Sequence, residues 1–159
     1  MIVTRKVLNL DKYLPALLTQ ISNKWSRSSS RIYLQKFNVG INEWAVMSML
    51  AIEPEITANR VCSVIGMDKA LAGRSLRELE SKRLVSVKPN ASDGRSKVLS
   101  LTREGYKLHD RIIDVALDRE RQAVASLSPK DIETLISLLN TLRKNVVRMQ
   151  NQSLTERSL

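Results

Sequence analysis

The sequence predicts a mainly α-helical fold with one small β-hairpin, a winged helix-turn-helix set between terminal helices. Three observations carry this. Apolar residues recur at three- and four-residue steps over most of the chain, the period of amphipathic helices. Two such stretches after Thr57 are separated only by Ile65-Gly66-Met67, a turn of the length that joins the helices of a helix-turn-helix. The second is followed by two short alternating segments around Pro89-Asn90-Ala91-Ser92-Asp93-Gly94, a run of turn formers that reads as a hairpin tip.

Composition narrows the class further. The chain has 159 residues, 43% of them hydrophobic but only 4% aromatic, so one domain with an aliphatic, helix-packed core is expected. The formal charge of +10 is uneven: Lys and Arg exceed Asp and Glu by six over residues 1–40 and by four over 67–101, fall two short over 41–66, balance over 102–127 and lead by two over 128–159. Excess cation favours a polyanionic partner, nucleic acid first and anionic membrane second. One cysteine, Cys62, excludes an intramolecular disulfide framework and suits a reducing compartment. No apolar run approaches the ~18 residues of a membrane span, and the N-terminus MIVTRKVLNLDKYLP lacks the pattern of a signal peptide. A cytoplasmic protein with no membrane partner is expected.

In chain order, Met1 to Asp11 reads as an arm whose Val3, Val7, Leu8 and Leu10 can be buried against a partner. From about Tyr13 to Phe37, Leu14, Leu17, Leu18, Ile21, Trp25 and Ile32 make one stripe of a long helix, with Pro15 tolerated in its first turn. Asn42 is the expected cap of a second helix to about Ile52, with Trp44, Met47, Leu50 and Ala51 inward. Pro54 stops it, and Glu55-Ile56 is an extended link or one-pair strand. Thr57 caps a short helix to about Val64, Gly66 takes a positive φ in the turn, and Asp68 caps the next helix to about Arg83. In that helix Ala72, Leu76 and Leu79 face inward, leaving Lys69, Leu71, Gly73, Arg74 and Arg77 outward. Strands follow at Leu84 to Lys88 and around Val98 and Ser100. Thr102 then opens a helix to about Ser126, in which Gly105 lies early enough to be harmless and Leu108, Ile112, Val115, Ala116 and Val124 are apolar. Ser128-Pro129-Lys130-Asp131 is a compact helix start. The last helix carries Ile132, Leu135, Leu138, Leu139, Leu142, Val146 and Met149 down one side, a stripe too long for the small lobe to cover. Its economical partner is the N-terminal helix, of this chain and of a second copy. From Asn151 the tail is polar and expected to fray.

Over about Tyr13 to Asn145 the chain resembles the MarR family of bacterial transcriptional regulators. The most specific match is Asp93-Gly94-Arg95-Ser96-Lys97-Val98-Leu99-Ser100-Leu101-Thr102, which looks like the family's wing signature D-x-R-x-x-x-L-x-L-T. Glu43-Trp44, Gly66-Met67-Asp68-Lys69-Ala70, Arg74, and Leu79-Glu80 followed by Leu84-Val85 extend it in the right order. The resemblance implies a single domain over residues 1–159, with a DNA-binding lobe at 41–101 and dimerisation helices at 1–37 and 102–150. It also implies an obligate homodimer that places two lobes on a pseudo-palindromic operator in double-stranded DNA. Leu71 and Gly73 stand where members often carry Thr or Ser, and Lys82-Arg83 where a Gly is frequent.

By that resemblance Arg95 enters the minor groove, with Asp93 holding its guanidinium; the residues alone allow the pair merely to brace the hairpin. Lys69, Arg74 and Arg77 are expected at phosphates or base edges, Leu71 at a thymine methyl, and Gly73 where backbone and DNA come close. Thr57, Asn59 and Arg60 are weaker candidates for backbone contact. Trp25, Tyr33 and Trp44 can line a pocket for a small aromatic or acidic ligand, with Arg27 or Arg31 meeting an acid, or they can simply be core. Cys62 is read as a small buried hydrophobe and not a redox sensor. The one histidine, His109, is read as solvated. With no second His, no nucleotide-binding glycine motif and no metal set, neither an enzyme nor a cofactor is expected. The reading is a homodimeric, sequence-specific regulator, a repressor released by a small ligand. The alternative is a nucleoid-associated or adaptor dimer binding DNA without sequence preference.

Overall fold

A computed structural model describes residues 6–91, 93 and 95–156. The elements are α1 (Leu14–Phe37), α2 (Ile41–Ile52), α3 (Ala58–Ile65), α4 (Lys69–Ser81), β1 (Val85–Pro89), β2 (Lys97–Leu101), α5 (Arg103–Ala123) and α6 (Pro129–Glu156). By contacts the chain divides into two compact units, Met1–Ile113 and Asp114–Leu159.

The first unit holds the core. Val39, Val46, Met47, Leu50, Val61, Leu79 and Ile112 are fully buried, with Tyr33 at 1% exposure. Each such aliphatic side chain contributes roughly 1.5–3 kcal/mol. At the centre is α2, which packs against α1, α3, α4 and β2. Being covered on several sides, it buries Val46 and Met49 as well as Met47 and Leu50, while Trp44 and Ala51, expected inward, are only half-buried. Its cap is Gly40 and not Asn42: the Gly40 N–H donates to Glu43 Oε2 at 3.1 Å, and the helix starts two residues earlier.

Local chemistry sets the other boundaries. Pro15 falls in the first turn of α1, where a missing N–H costs nothing. Thr57 Oγ1 accepts from Arg60 N–H at 3.2 Å, and Asp68 Oδ1 from Leu71 N–H at 2.8 Å. Gly66 has φ +74° and ends α3. The hairpin is antiparallel with Val85 opposite Leu101 and Pro89 opposite Lys97. Ile56 adds a single bridge to its edge, accepting from Leu99 N–H at 2.9 Å.

The end of α4 departs from expectation. The helix stops at Ser81, and Arg83 takes the left-handed conformation at φ 58°. Leu84 N–H donates to Leu79 O and Arg83 N–H to Glu80 O, each at 2.9 Å, which is Schellman closure with an arginine where glycine is usual. Two contacts secure it. Thr102 Oγ1–H donates to Arg83 O at 2.8 Å, and Lys82 Nζ donates to Asn38 O at 2.8 Å and Glu43 Oε2 at 2.9 Å.

Gly105, read as harmless, is instead obligatory. It is buried at the start of α5, and a Cβ there would collide with the Leu84 carbonyl oxygen, with Leu84 C at 3.1 Å and Leu101 Cδ2 at 3.3 Å. His109 is one turn further along the same stripe as Gly105 and Ile112, so it is not solvated. Its side chain is 12% exposed, its ring stacks on Trp44 with centroids 5.2 Å apart, and Nδ1 lies 3.2 Å from Asp110 Oδ1.

In the second unit α6 begins as expected, with Ser128 Oγ accepting from Asp131 N–H at 3.2 Å and donating to Asp131 Oδ2 at 2.6 Å. The Ser128 hydroxyl and then the Ser128 backbone N–H, which donates to Asp131 Oδ2 at 3.2 Å, hold the Asp131 carboxyl below the ordinary carboxylate range. The helix continues past Asn151 to Glu156. Leu135, Ile136, Leu138, Leu139, Val146, Val147 and Met149 stand exposed on it. In the first unit Val7, Leu8 and Leu10 of the arm are exposed too, while Val3 lies outside the described residues.

Candidate nucleic-acid interface

The surface of α4 follows from its period. Ala72, Ser75, Leu76 and Leu79 are buried, which turns Lys69, Arg74 and Arg77 outward as exposed side chains and leaves Leu71 and Gly73 half-buried between them. Asp68 shapes this surface by receiving the Leu71 N–H. None of the ion pairs among the described residues involves Lys69, Arg74 or Arg77. Three exposed cations outside the ion pairs of the described residues, on a helix that also exposes Glu78 and Glu80, form a surface that attracts phosphate.

Gly73 is unlike Gly66 and Gly105. A Cβ added there would meet only Arg77 Nη1, at 3.5 Å, an ordinary van der Waals distance. The fold itself therefore has no need of glycine at 73, although a helix-interior glycine costs ~1 kcal/mol relative to alanine.

At the hairpin tip Asp93 and Arg95 are both exposed. The resemblance places Asp93 against the guanidinium; here its Oδ1 accepts from the Arg95 backbone N–H at 3.1 Å, while Asp93 O receives Ser96 N–H at 2.9 Å and Ser96 Oγ–H at 3.1 Å. Asp93 thus shapes the turn from which Arg95 projects. Lys88 and Lys97 on the strands are exposed cations as well, two positions the sequence reading passed over; Lys88 is out of phase with the buried Val85, whereas Lys97 shares the phase of the buried Leu99 and Leu101 and is exposed at the tip end of β2.

The three candidates at α3 fare differently. Thr57 uses its oxygen as a cap, and Asn59 is exposed. Arg60 is engaged: Nε and Nη2 donate to the Glu53 carboxylate at 3.1 and 3.0 Å. The hydrogen bonds and then the charge of Glu53 raise the guanidinium pKa above its ordinary value. That guanidinium must leave Glu53 to reach a phosphate.

The ligand candidates separate. Tyr33 and Trp44 meet edge to face at 6.0 Å, and Trp44 continues into the His109 stack, a packed aromatic run within the first unit. Arg31 lies elsewhere, on an open cavity of about 640 Å³ along α1 lined by Gln20, Asn23, Lys24, Arg27, Ser28, Arg31 and Ile32. Trp25, half-buried on the same helix, is not among the lining residues. Cys62 is a free thiol, half-buried and not buried as expected, because it sits on the flank of α3 while Val61 takes the inward position. Among the described residues no group of His, Cys, Asp and Glu is placed to hold a metal, and no helix is long and apolar enough to cross a membrane.

A capped helix pair with a cationic second helix, followed by a β-hairpin ending in arginine, defines a winged-helix regulator of transcription. The MarR family model matches residues 37–96, the stretch from the end of α1 to the wing. A MarR/EmrR family transcriptional regulator from Acinetobacter sp. ADP1 is 30% identical, with the match covering 89% of this chain and 99% of that one at a TM-score of 0.83. This chain belongs to the MarR family. The fold is shared with S. aureus MepR in a DNA complex, at 20% identity over 86% of this chain and 98% of that one with a TM-score of 0.74. It is shared also with Streptomyces coelicolor PcaV in complex with its natural ligand, at 18% identity over 88% and 98% with a TM-score of 0.72.

Proposed function

We propose that this MarR-family chain acts as a cytoplasmic homodimer that binds a pseudo-palindromic operator in double-stranded DNA and represses transcription until a small acidic ligand releases it. The observation that carries the reading is the set of exposed cations on α4, Lys69, Arg74 and Arg77, outside the ion pairs of the described residues and beside the wing that projects Arg95. Such a helix fits a major groove and such an arginine the adjacent minor groove. Residues 41–101 form the lobe that binds, and residues 1–37 and 102–150 supply the dimer contacts. The apolar side chains exposed on α6 and in the arm are those a second copy would cover. That MepR is known with DNA and PcaV with a natural ligand supports both halves of the proposal. The α1 cavity, with Lys24, Arg27 and Arg31 on its wall, suits an acid. Repression needs nothing more than occupancy of the promoter, and no step calls for turnover.

The deciding experiment is a footprint on the DNA around the protein's own gene, followed by mobility shift against competitor. A protected region with two-fold symmetry and half-sites about 34 Å apart is expected. Competition by bulk DNA as effective as by the protected fragment would overturn sequence-specific regulation in favour of a non-specific nucleoid or adaptor role. Arg95→Ala is expected to weaken binding to the protected fragment by roughly 1–3 kcal/mol while leaving the oligomer intact, and unchanged affinity would remove the wing from the interface.

A further inference from the structure

Between Leu14 and Phe37, α1 carries the cations Lys24, Arg27, Arg31 and Lys36 and not one aspartate or glutamate. By contrast, α5 engages cations with its own acids, Lys107 on Glu104 and Arg121 on Asp118. None of the ion pairs among the described residues involves Lys24, Arg27 or Arg31, all three of them exposed. At about 100° per residue they fall within an arc of about 60°, spread over about 10 Å of helix axis. They therefore share one face, where like charges three and four residues apart repel. That face borders the cavity of about 640 Å³, the size of a small-molecule site. The rest of its wall is amide and hydroxyl, Gln20, Asn23 and Ser28, with Ile32 as its apolar residue.

We propose that this face of α1 binds a small anion bearing two or more phosphate or carboxylate groups. This rests on the acid-binding reading of the α1 cavity and names the class of acid. The three cations succeed one another at about 4.5 and 6 Å along the axis, and a monocarboxylate would leave most of their charge unopposed. Two anionic groups on a short linker can engage Arg27 and Arg31 through paired N–H donors. Lys24 adds a point charge, and the Gln20 and Asn23 amides supply neutral donors. An aromatic monoacid needs the opposite kind of surface, mainly apolar with a few polar groups. Here the aromatic run of Tyr33, Trp44 and His109 is packed on itself and contributes nothing to this wall. A DNA duplex is a convex rod, and cations that border a concavity suit it less than those of a protruding helix.

The test is isothermal titration of wild type and of Arg27→Gln/Arg31→Gln with pyrophosphate, citrate and benzoate, at an ionic strength held constant with chloride. Circular dichroism and sedimentation follow the fold and assembly of the variant. Saturable binding of pyrophosphate or citrate is expected, at least about tenfold tighter than benzoate and weakened about tenfold in the variant. The tighter of the two separates phosphoryl from carboxylate ligands. Benzoate bound as tightly as both polyanions, binding of neither polyanion, or equal binding by wild type and a folded variant overturns the inference, and the first two results need wild type alone. Each acid is also added to the complex with the footprinted fragment. Release of DNA by benzoate, with neither polyanion bound, keeps the regulator reading and overturns the inference. Polyanion binding that is lost in the variant yet leaves the DNA complex intact keeps the inference and overturns ligand release.

Discussion

Replacing Gly105 by alanine tests the fold more sharply than any truncation, because two opposing effects can be sized from the geometry. Alanine is intrinsically better in a helix by ~1 kcal/mol. Against this, the new methyl would sit inside the contact radius of the Leu84 carbonyl oxygen, with Leu84 C at 3.1 Å and Leu101 Cδ2 at 3.3 Å. The obstacle is backbone. Leu84 O accepts from Thr102 N–H at 3.0 Å, and Leu84 N–H is the closing bond of α4, so the carbonyl cannot swing aside without loosening a hydrogen bond. Overpacking of this kind costs roughly 1–3 kcal/mol, and weakening the Thr102 bond adds about 1 kcal/mol.

The net expectation is a loss of about 2 kcal/mol, or roughly 4–8 °C in Tm for a chain of this size. The measurement is urea unfolding followed by far-UV circular dichroism at fixed protein concentration, since assembly shifts apparent stability. Gly73→Ala is the matched control, with space for its methyl and an expected gain of about 0.5–1 kcal/mol. The two substitutions are chemically identical and should move stability in opposite directions. A Gly105→Ala protein as stable as wild type would refute the close approach of α5 to the root of the wing.

Lys82→Met should destabilise by about 1–3 kcal/mol, because it strips the Asn38 carbonyl and the Glu43 carboxylate, whose side chain is only 14% exposed, of a donor; adding Glu43→Gln should cost less than the sum of the single changes. Arg83→Gly relieves a left-handed residue at φ 58°, and a gain of up to about 1 kcal/mol is expected after the freer unfolded chain is counted, visible in the same urea titration. Asp131 has a folded pKa lowered by its bonds to Ser128, so it stabilises the start of α6 above its ordinary value of 3.8 and that contribution is lost as pH falls through the lowered value. Protection of the amides in the first turn of α6, taken relative to the intrinsic exchange rate at each pH, should therefore fall on acidification below about that pH in wild type and show no such step in Asp131→Asn.

Features decided by neighbours in sequence were legible in advance. Thr57 and Asp68 cap because a hydroxyl or carboxylate two or three residues ahead of a free N–H has few other options. Gly66 turns because it has no Cβ. Features decided by distant parts of the chain were not. Gly73 and Gly105 are the same letter in the same kind of helix, and only the carbonyl of Leu84 tells them apart. Lys82 shows in the sequence only as part of the Lys82-Arg83 pair where a Gly is frequent, yet its partners are 44 and 39 residues away. His109 was misplaced because its charged neighbours were weighed above its phase with Gly105 and Ile112. At the interface, the outward residues of α4 followed from its period, whereas the engagement of Arg60 by Glu53 and the separation of Arg31 from Tyr33 and Trp44 depend on tertiary packing.

The same distinction changes what the charge of the lobe means. Counted along the sequence, residues 41–101 are only mildly basic, because the acids of α2 and the following link offset much of the cation excess. In three dimensions four of those acids have structural partners: Glu43 holds Lys82 and the Gly40 N–H, Glu53 holds Arg60, and Asp68 and Asp93 accept from backbone N–H groups. The cations they do not engage are Lys69, Arg74 and Arg77 on α4, Arg83 just beyond its end, and Lys88, Arg95 and Lys97 on the hairpin, all exposed and outside the ion pairs of the described residues. Because screening by salt removes most interactions beyond about 10 Å, a phosphate near α4 or the wing feels these local cations more than the net charge of the lobe. Four of the carboxylates therefore set the shape of the lobe by tying down backbone and two selected cations, while Glu55, Glu78 and Glu80 stand exposed outside the ion pairs of the described residues; the cations left over outnumber these three and form the binding face.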